Sequence, residues 1–188
     1  VGSKLRTFAW PALFFALLAR PAGCGDLRIT IPDTALVDQH GRTLRLYSDL
    51  VKGRKVVVIN TIFTTCTTIC PVIGVRLARL QKSLAAFSPQ DYSLVSISVD
   101  PATDTPERLR AWAGQMGARP GWTLLTGPKM QVDEVLGKLT LATPDKLTHS
   151  PAALVGADGP GGFVTCNALA PGDALTKLVH QRLGAPKN

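Results

Sequence analysis

Two cysteines four positions apart, in Phe63-Thr-Thr-Cys66-Thr-Thr-Ile-Cys70-Pro71, carry the chemistry most plainly available to this 188-residue chain. The apolar run Val56-Val-Val-Ile59 precedes them and an amphipathic stretch follows. The pair therefore falls on a strand-to-helix turn, with Cys70 just ahead of a proline suited to the first helical position. A helix N-terminus offers unpaired N–H groups and a partial positive charge, and both favour thiolate over thiol. Thiolate exchanges disulfides and binds soft metals. A purely structural disulfide is the third use, although closing so short a loop constrains little chain entropy. A simple dithiol redox centre usually has two intervening residues. The three found here give a wider loop that lets both sulfurs face one ion. Electrons, a metal and a plain bridge all stay open on the spacing alone.

The histidines narrow the choice. His149, in Leu147-Thr-His-Ser-Pro151, directly precedes an apolar strand and is expected at the same sheet end as the cysteines. Two thiolates and one imidazole make a small soft site suited to copper and acceptable to zinc. His40 is expected in a solvated hairpin turn, and His180 near the end of the last helix, where a positive ring suits the dipole. Asp100 and Asp104, in Val99-Asp-Pro-Ala-Thr-Asp-Thr-Pro106, follow a second core strand. Asp100 is expected to support the site or shape the proline turn, and Asp104 to help cap the next helix. Cys166 reads as a small buried apolar residue, which leaves an unpaired thiol whose alternative use is a third redox or metal role.

These groups must be held by a regular scaffold. Residues 34–37 and 43–46 flank Asp38-Gln-His-Gly41 and predict a hairpin. Residues 55–60 predict a buried strand by their β-branched run. A helix over 71–85 puts Ile73, Leu77, Leu80 and Leu84 on one face and turns Arg76, Arg79 and Lys82 to water. A strand over 92–99 follows. Next comes a helix capped by Thr105, with Pro106 in its first turn, running to about residue 116. A strand over 122–125, a helix over 130–139, a hairpin from 152–157 and 163–166, and a closing helix over 173–183 complete the order. Strands alternating with helices predict an α/β fold. We expect a thioredoxin-like, central mixed sheet flanked by helices on both faces, with an N-terminal β-hairpin. Sites in such sheets lie beyond the carboxyl ends of the strands.

The first 23 residues differ in kind. Lys4 and Arg6 precede an apolar segment over 7–19, and small residues close it, so residues 1–23 read as a secretory signal and 24–188 as one domain. The segment is short for a membrane span and interrupted by Pro11. Pro21-Ala-Gly-Cys24 is similar to a bacterial lipoprotein cleavage site, which makes Cys24 a candidate membrane anchor. The net charge is +8, and it falls to +5 once the basic, acid-free first 23 residues are set aside. No basic stripe interleaved with aromatics appears, so nucleic-acid binding is not expected.

Taken together, Phe63–Pro71, the run from Ser96 to Pro106 and His149-Ser150 resemble the three signatures of the Sco/SenC family, in the same order and separation, over residues 30–183. The resemblance implies a thioredoxin-like, membrane-tethered protein that holds copper through Cys66, Cys70 and His149, with Asp100 supporting. It also implies work on the copper centre of cytochrome c oxidase. The expected function is a metallochaperone at the periplasmic face of a bacterial membrane. Reduced Cys66 and Cys70 with neutral His149 would carry Cu(I), or Cu(II), to a receiving protein such as an oxidase subunit. The alternative is a thiol–disulfide oxidoreductase, in which Cys66 and Cys70 are the redox-active pair, no metal is involved and His149 has no part. A peroxide-reducing enzyme ranks last: Thr64 or Thr67 could support a peroxidatic thiol, but the motif holds no arginine.

Overall fold

The computed structural model describes residues 24–159 and 162–185, so the expected signal over 1–23 lies outside the described residues. One eight-stranded sheet organises the chain, in the order β1-β8-β7-β4-β5-β6-β2-β3. Its strands are β1 (Cys24–Leu27), β2 (Ala35–Asp38), β3 (Thr43–Arg45), β4 (Val56–Ile62), β5 (Tyr92–Ser98), β6 (Trp122–Thr126), β7 (Ala152–Gly156) and β8 (Phe163–Asn167). The helices are α1 (Leu46–Leu50), α2 (Ile69–Ser83), α3 (Pro106–Met116), α4 (Lys129–Lys138) and α5 (Ala174–Leu183).

β4, β5 and β6 run parallel, and β7 returns antiparallel beside β4. The β4 and β5 strands are buried along their whole lengths, as a parallel centre covered on both faces requires. Alternation divides their side chains between two cores. Val56, Val58 and Ile62 meet Ile73, Leu77 and Leu80 of α2, Leu109 and Trp112 of α3, and Leu178 of α5. Val57 and Ile59 meet Leu50 of α1 and Val132, Val135 and Leu136 of α4. Helices thus cover both faces, and the β2–β3 hairpin forms one edge. This is the expected thioredoxin-like layout.

The N-terminal edge departs from expectation. Residues 24–27 form β1, paired with β8 in the register Cys24↔Cys166, and those two cysteines form a disulfide. Cys166 is therefore not an unpaired thiol, and the expected lipid anchor at Cys24 is corrected: a sulfur in a disulfide has no valence for a thioether. Among the described residues no helix is long and apolar enough to cross a membrane. Arg76 is also not simply solvated. Its Nη1 donates to the carbonyls of Ala168 (2.9 Å) and Ala170 (2.8 Å), tying α2 to the chain after β8.

Candidate metal and redox centre

β4 delivers the chain to the carboxyl end of the sheet, and residues 63–68 turn it into α2. The turn is closed by Cys66 N–H donating to the Phe63 carbonyl at 3.1 Å. The helix starts at Ile69, two residues before the expected Pro71, because a proline anywhere in the first turn forfeits only an N–H that has no intrahelical partner. Cys70 thus lies inside the first turn. Its backbone N–H donates to Cys66 Sγ at 3.4 Å, and the Thr68 hydroxyl sits 3.5 Å from the same sulfur. The helix start serves Cys66 directly.

His149 arrives from the loop before β7, as its position in the sequence predicts. Its Nε2 lies 3.2 Å from Cys70 Sγ, and its Nδ1 lies 2.8 Å from the Lys146 carbonyl. A carbonyl only accepts, so Nδ1 carries the proton and Nε2 keeps a lone pair toward the cysteines. One donor atom each from Cys66, Cys70 and His149 falls within 4.8 Å of the others, and all three residues are buried. Both cysteines are free thiols.

The two thiols differ. Burial pushes the Cys66 thiol up, but the Cys70 N–H and the Thr68 hydroxyl outweigh it, and the net shift is downward. The more deeply placed Cys70 is pushed up to about 12, by burial first and then by the neighbouring Cys66 and Asp104. Burial lowers the pKa of His149, so its imidazole is held neutral. The centre therefore offers one activated sulfur, one protonated sulfur and one neutral imidazole. That set fits a soft metal, with Cys70 giving up its proton when the metal binds.

A surrounding layer fixes these positions. Asp100 accepts from Lys146 Nζ at 2.6 Å, and Lys146 in turn holds His149 through its carbonyl, so Asp100 acts on the histidine loop. The Phe63 ring meets the imidazole edge-on at 5.1 Å between centroids. Asp104 is not a helix cap; Thr105 caps α3 alone, accepting from Arg108 N–H. Asp104 is wholly buried and accepts from the N–H and hydroxyl of Thr64 and from the Ser98 hydroxyl. Arg108 Nε completes this cluster, 3.3 Å from Thr64 Oγ1. From sequence the second carboxylate of the Asp100–Asp104 pair was the only signal for this role. Lys146 had none. His40 is exposed, as expected. His180 lies 2.9 Å from Ser83 Oγ, away from the centre.

The SCO1/SenC family model matches residues 29–152. A Bacillus subtilis protein described as a SCO1 homologue is 34% identical over 151 residues, covering 72% of this chain and 76% of its own. A Stutzerimonas stutzeri protein named for copper binding is 33% identical over 138 residues, covering 69% of this chain. The match spans 65% of that relative, just under two thirds of its length. Among solved structures, BsSco, a member of the Sco family of cytochrome c oxidase assembly proteins studied for a disulfide switch, aligns with a TM-score of 0.68 and 28% identity. That alignment covers 85% of this chain and 96% of BsSco. Copper-bound yeast Sco1 aligns with a TM-score of 0.68 at 20% identity, over 85% of this chain and 94% of its own, and shares the fold. With its three donor residues gathered at one sheet end and the family model spanning most of its length, the chain belongs to the SCO1/SenC family.

Proposed function

We propose that this protein is a copper-carrying assembly factor of the cell envelope that passes the metal to a receiving protein, such as a cytochrome c oxidase subunit. The observation that carries this reading is the meeting of Cys66 Sγ, Cys70 Sγ and His149 Nε2 at one buried point, with the imidazole already turned to ligate. Two soft sulfurs suit Cu(I), and the nitrogen keeps Cu(II) within reach. Names given to relatives agree, since one is named for copper binding and BsSco belongs to the oxidase assembly proteins. A Cys24–Cys166 disulfide suits an oxidising compartment, in keeping with residues 1–23 serving as an export signal ahead of a single domain over 24–188. This reading places the protein at the periplasmic face of a bacterial membrane.

The chain's own residues do three things in this reading. Cys66, the more readily ionised thiol, meets the incoming ion, Cys70 loses a proton to bind it, and His149 is kept in one tautomer by the Lys146 carbonyl. Release requires a partner whose ligands replace these one at a time. X-ray absorption of the reduced, copper-loaded chain tests the donor set. Two sulfurs and one nitrogen support the reading, and a shell of nitrogen and oxygen alone contradicts it.

The thiol asymmetry favours a second activity at the same residues. Cys66 thiolate can attack a partner disulfide and form a mixed disulfide while one partner thiolate leaves. Cys70 then gives up its proton and attacks the Cys66 sulfur, the second partner thiol leaves, and a Cys66–Cys70 disulfide remains. Two electrons pass to the partner. His149 Nε2, at 3.2 Å, is placed to take the Cys70 proton. In this reading exchange draws on His149 as well, so replacing His149 would impair both activities. Copper affinity, not histidine dependence, separates them.

A further inference from the structure

A second cavity lies away from the cysteines, at the opposite end of the parallel strands. It has a volume of about 690 Å3 and forms where the β2–β3 turn, the C-terminal half of α3 and the start of β6 meet. Arg42, Arg110, Arg119 and His40 line it, and among the described residues no carboxylate does. We propose that this cavity binds a phosphate-bearing ligand through its arginines.

The walls are built, not merely charged. Buried Gln81 receives the Arg119 N–H on its Oε1 (2.9 Å) and donates to the Arg119 and Pro120 carbonyls (2.9 and 3.0 Å), which fixes the backbone under Arg119. Buried Gln39 bridges the Trp122 carbonyl and the Leu124 N–H, locking the turn against β6. Gly121 holds φ +95°, and a Cβ there would meet the Tyr92 ring at 3.0 Å, so the bend in the floor requires glycine. Arg42 is oriented by buried Asp38, which accepts from its Nε at 2.8 Å and Nη2 at 2.7 Å; Nη1 takes no part in this pair.

The charge inside is not cancelled. Asp38 balances Arg42, and Glu107, one turn before Arg110 on α3, feels that guanidinium only through space. Among the described residues no carboxylate lies within ion-pair distance of Arg119 or Arg110. Arginines from three segments line the one cavity, and guanidinium groups bind the several oxygens of a phosphate in bidentate pairs. The volume exceeds that of a bare phosphate and leaves room for the group that carries it. A soluble phosphate compound and a phospholipid headgroup share this chemistry.

The test titrates the whole chain with inorganic pyrophosphate, followed by amide NMR shifts, and floats it with phosphatidylglycerol and with phosphatidylcholine vesicles. The comparison is R110Q/R119Q, with R119K as the control that keeps the charge but loses the guanidinium fork. Saturable shifts at His40, Gly121 and Thr123, weakened about tenfold or more in R110Q/R119Q and weakened less in R119K, support the site. Flotation with phosphatidylglycerol that is weaker in R110Q/R119Q than in the parent names the lipid headgroup as the source. Pyrophosphate binding without such a difference names a soluble ligand. Unsaturable shifts, or equal affinity in parent and R110Q/R119Q, overturn the proposal. Copper affinity measured on the same samples stays unchanged, so failure here is distinct from failure of the copper reading.

Discussion

The carboxylate of Asp104 holds Thr64 at both ends, accepting from its backbone N–H at 3.1 Å and its hydroxyl at 2.5 Å, two residues ahead of Cys66. A wholly buried acid from the β5–α3 turn thus pins the first half of the cysteine loop, while Asp100 in the same turn steadies the histidine loop through Lys146. One short segment between Asp100 and Asp104 sets the separation of the sulfurs from the imidazole.

Removing the Asp104 carboxylate should therefore cost both stability and metal affinity. Asp104→Ala leaves the Thr64 N–H and the Ser98 hydroxyl without their acceptor, and we expect a loss of about 2–4 kcal/mol in urea unfolding. Copper affinity should fall about 10- to 100-fold, as for other groups that orient ligands from behind. Asp104→Asn keeps an acceptor and should lie between. Unchanged affinity in Asp104→Ala would remove Asp104 from the account of the centre.

Copper affinity should rise with pH. Cys70 is held protonated to about 12, so a metal that binds its sulfur must expel that proton throughout the neutral range. Cys66, shifted downward, expels progressively less. Competition titrations between about pH 7 and pH 9 should show affinity climbing at least about tenfold per unit. A flat profile would mean that Cys70 is not a ligand.

The Cys24–Cys166 bridge should stabilise the domain without touching the centre. It closes a separation of 142 residues, and Cys166→Ser should cost about 2–4 kcal/mol. Alkylation of the unfolded, non-reduced protein should label Cys66 and Cys70 but not Cys24 or Cys166, and Cys166→Ser should retain copper binding. Labelling of all four cysteines would contradict the bridge.

Gly74 places α2 against α3, since a Cβ there would lie 2.5 Å from Met116 Sδ and 2.9 Å from the Trp112 ring. Gly74→Ala should destabilise by about 1–3 kcal/mol, even though alanine is the better helix former. Thermal unfolding checks this, and a stabilised variant would show that the interface yields.

The parts of this protein governed by local rules were legible in its sequence. A β-branched run marked β4, alternation marked β5, Thr105-Pro106 marked α3, and the placement of His149 before β7 brought it to the cysteines. What sequence concealed depends on long-range contacts. Cys24 follows a largely apolar stretch of sequence, so its local context favoured processing, and only pairing of β1 with β8 reveals its partner. Asp104 precedes a helix and resembled a cap, while its actual partner Thr64 is 40 residues away. Five-residue α1 is too short for a helical period to show. The thiol asymmetry follows from burial and one sulfur contact, neither of which spacing encodes.

The central claim is that Cys66, Cys70 and His149 together hold copper. An anaerobic Cu(I) titration of the reduced chain against a competing chelator tests it most directly. We predict one tightly held ion per chain, lost in Cys66→Ser and Cys70→Ser and weakened about 100-fold in His149→Ala. Stoichiometric binding of undiminished affinity in both Cys70→Ser and His149→Ala would contradict it.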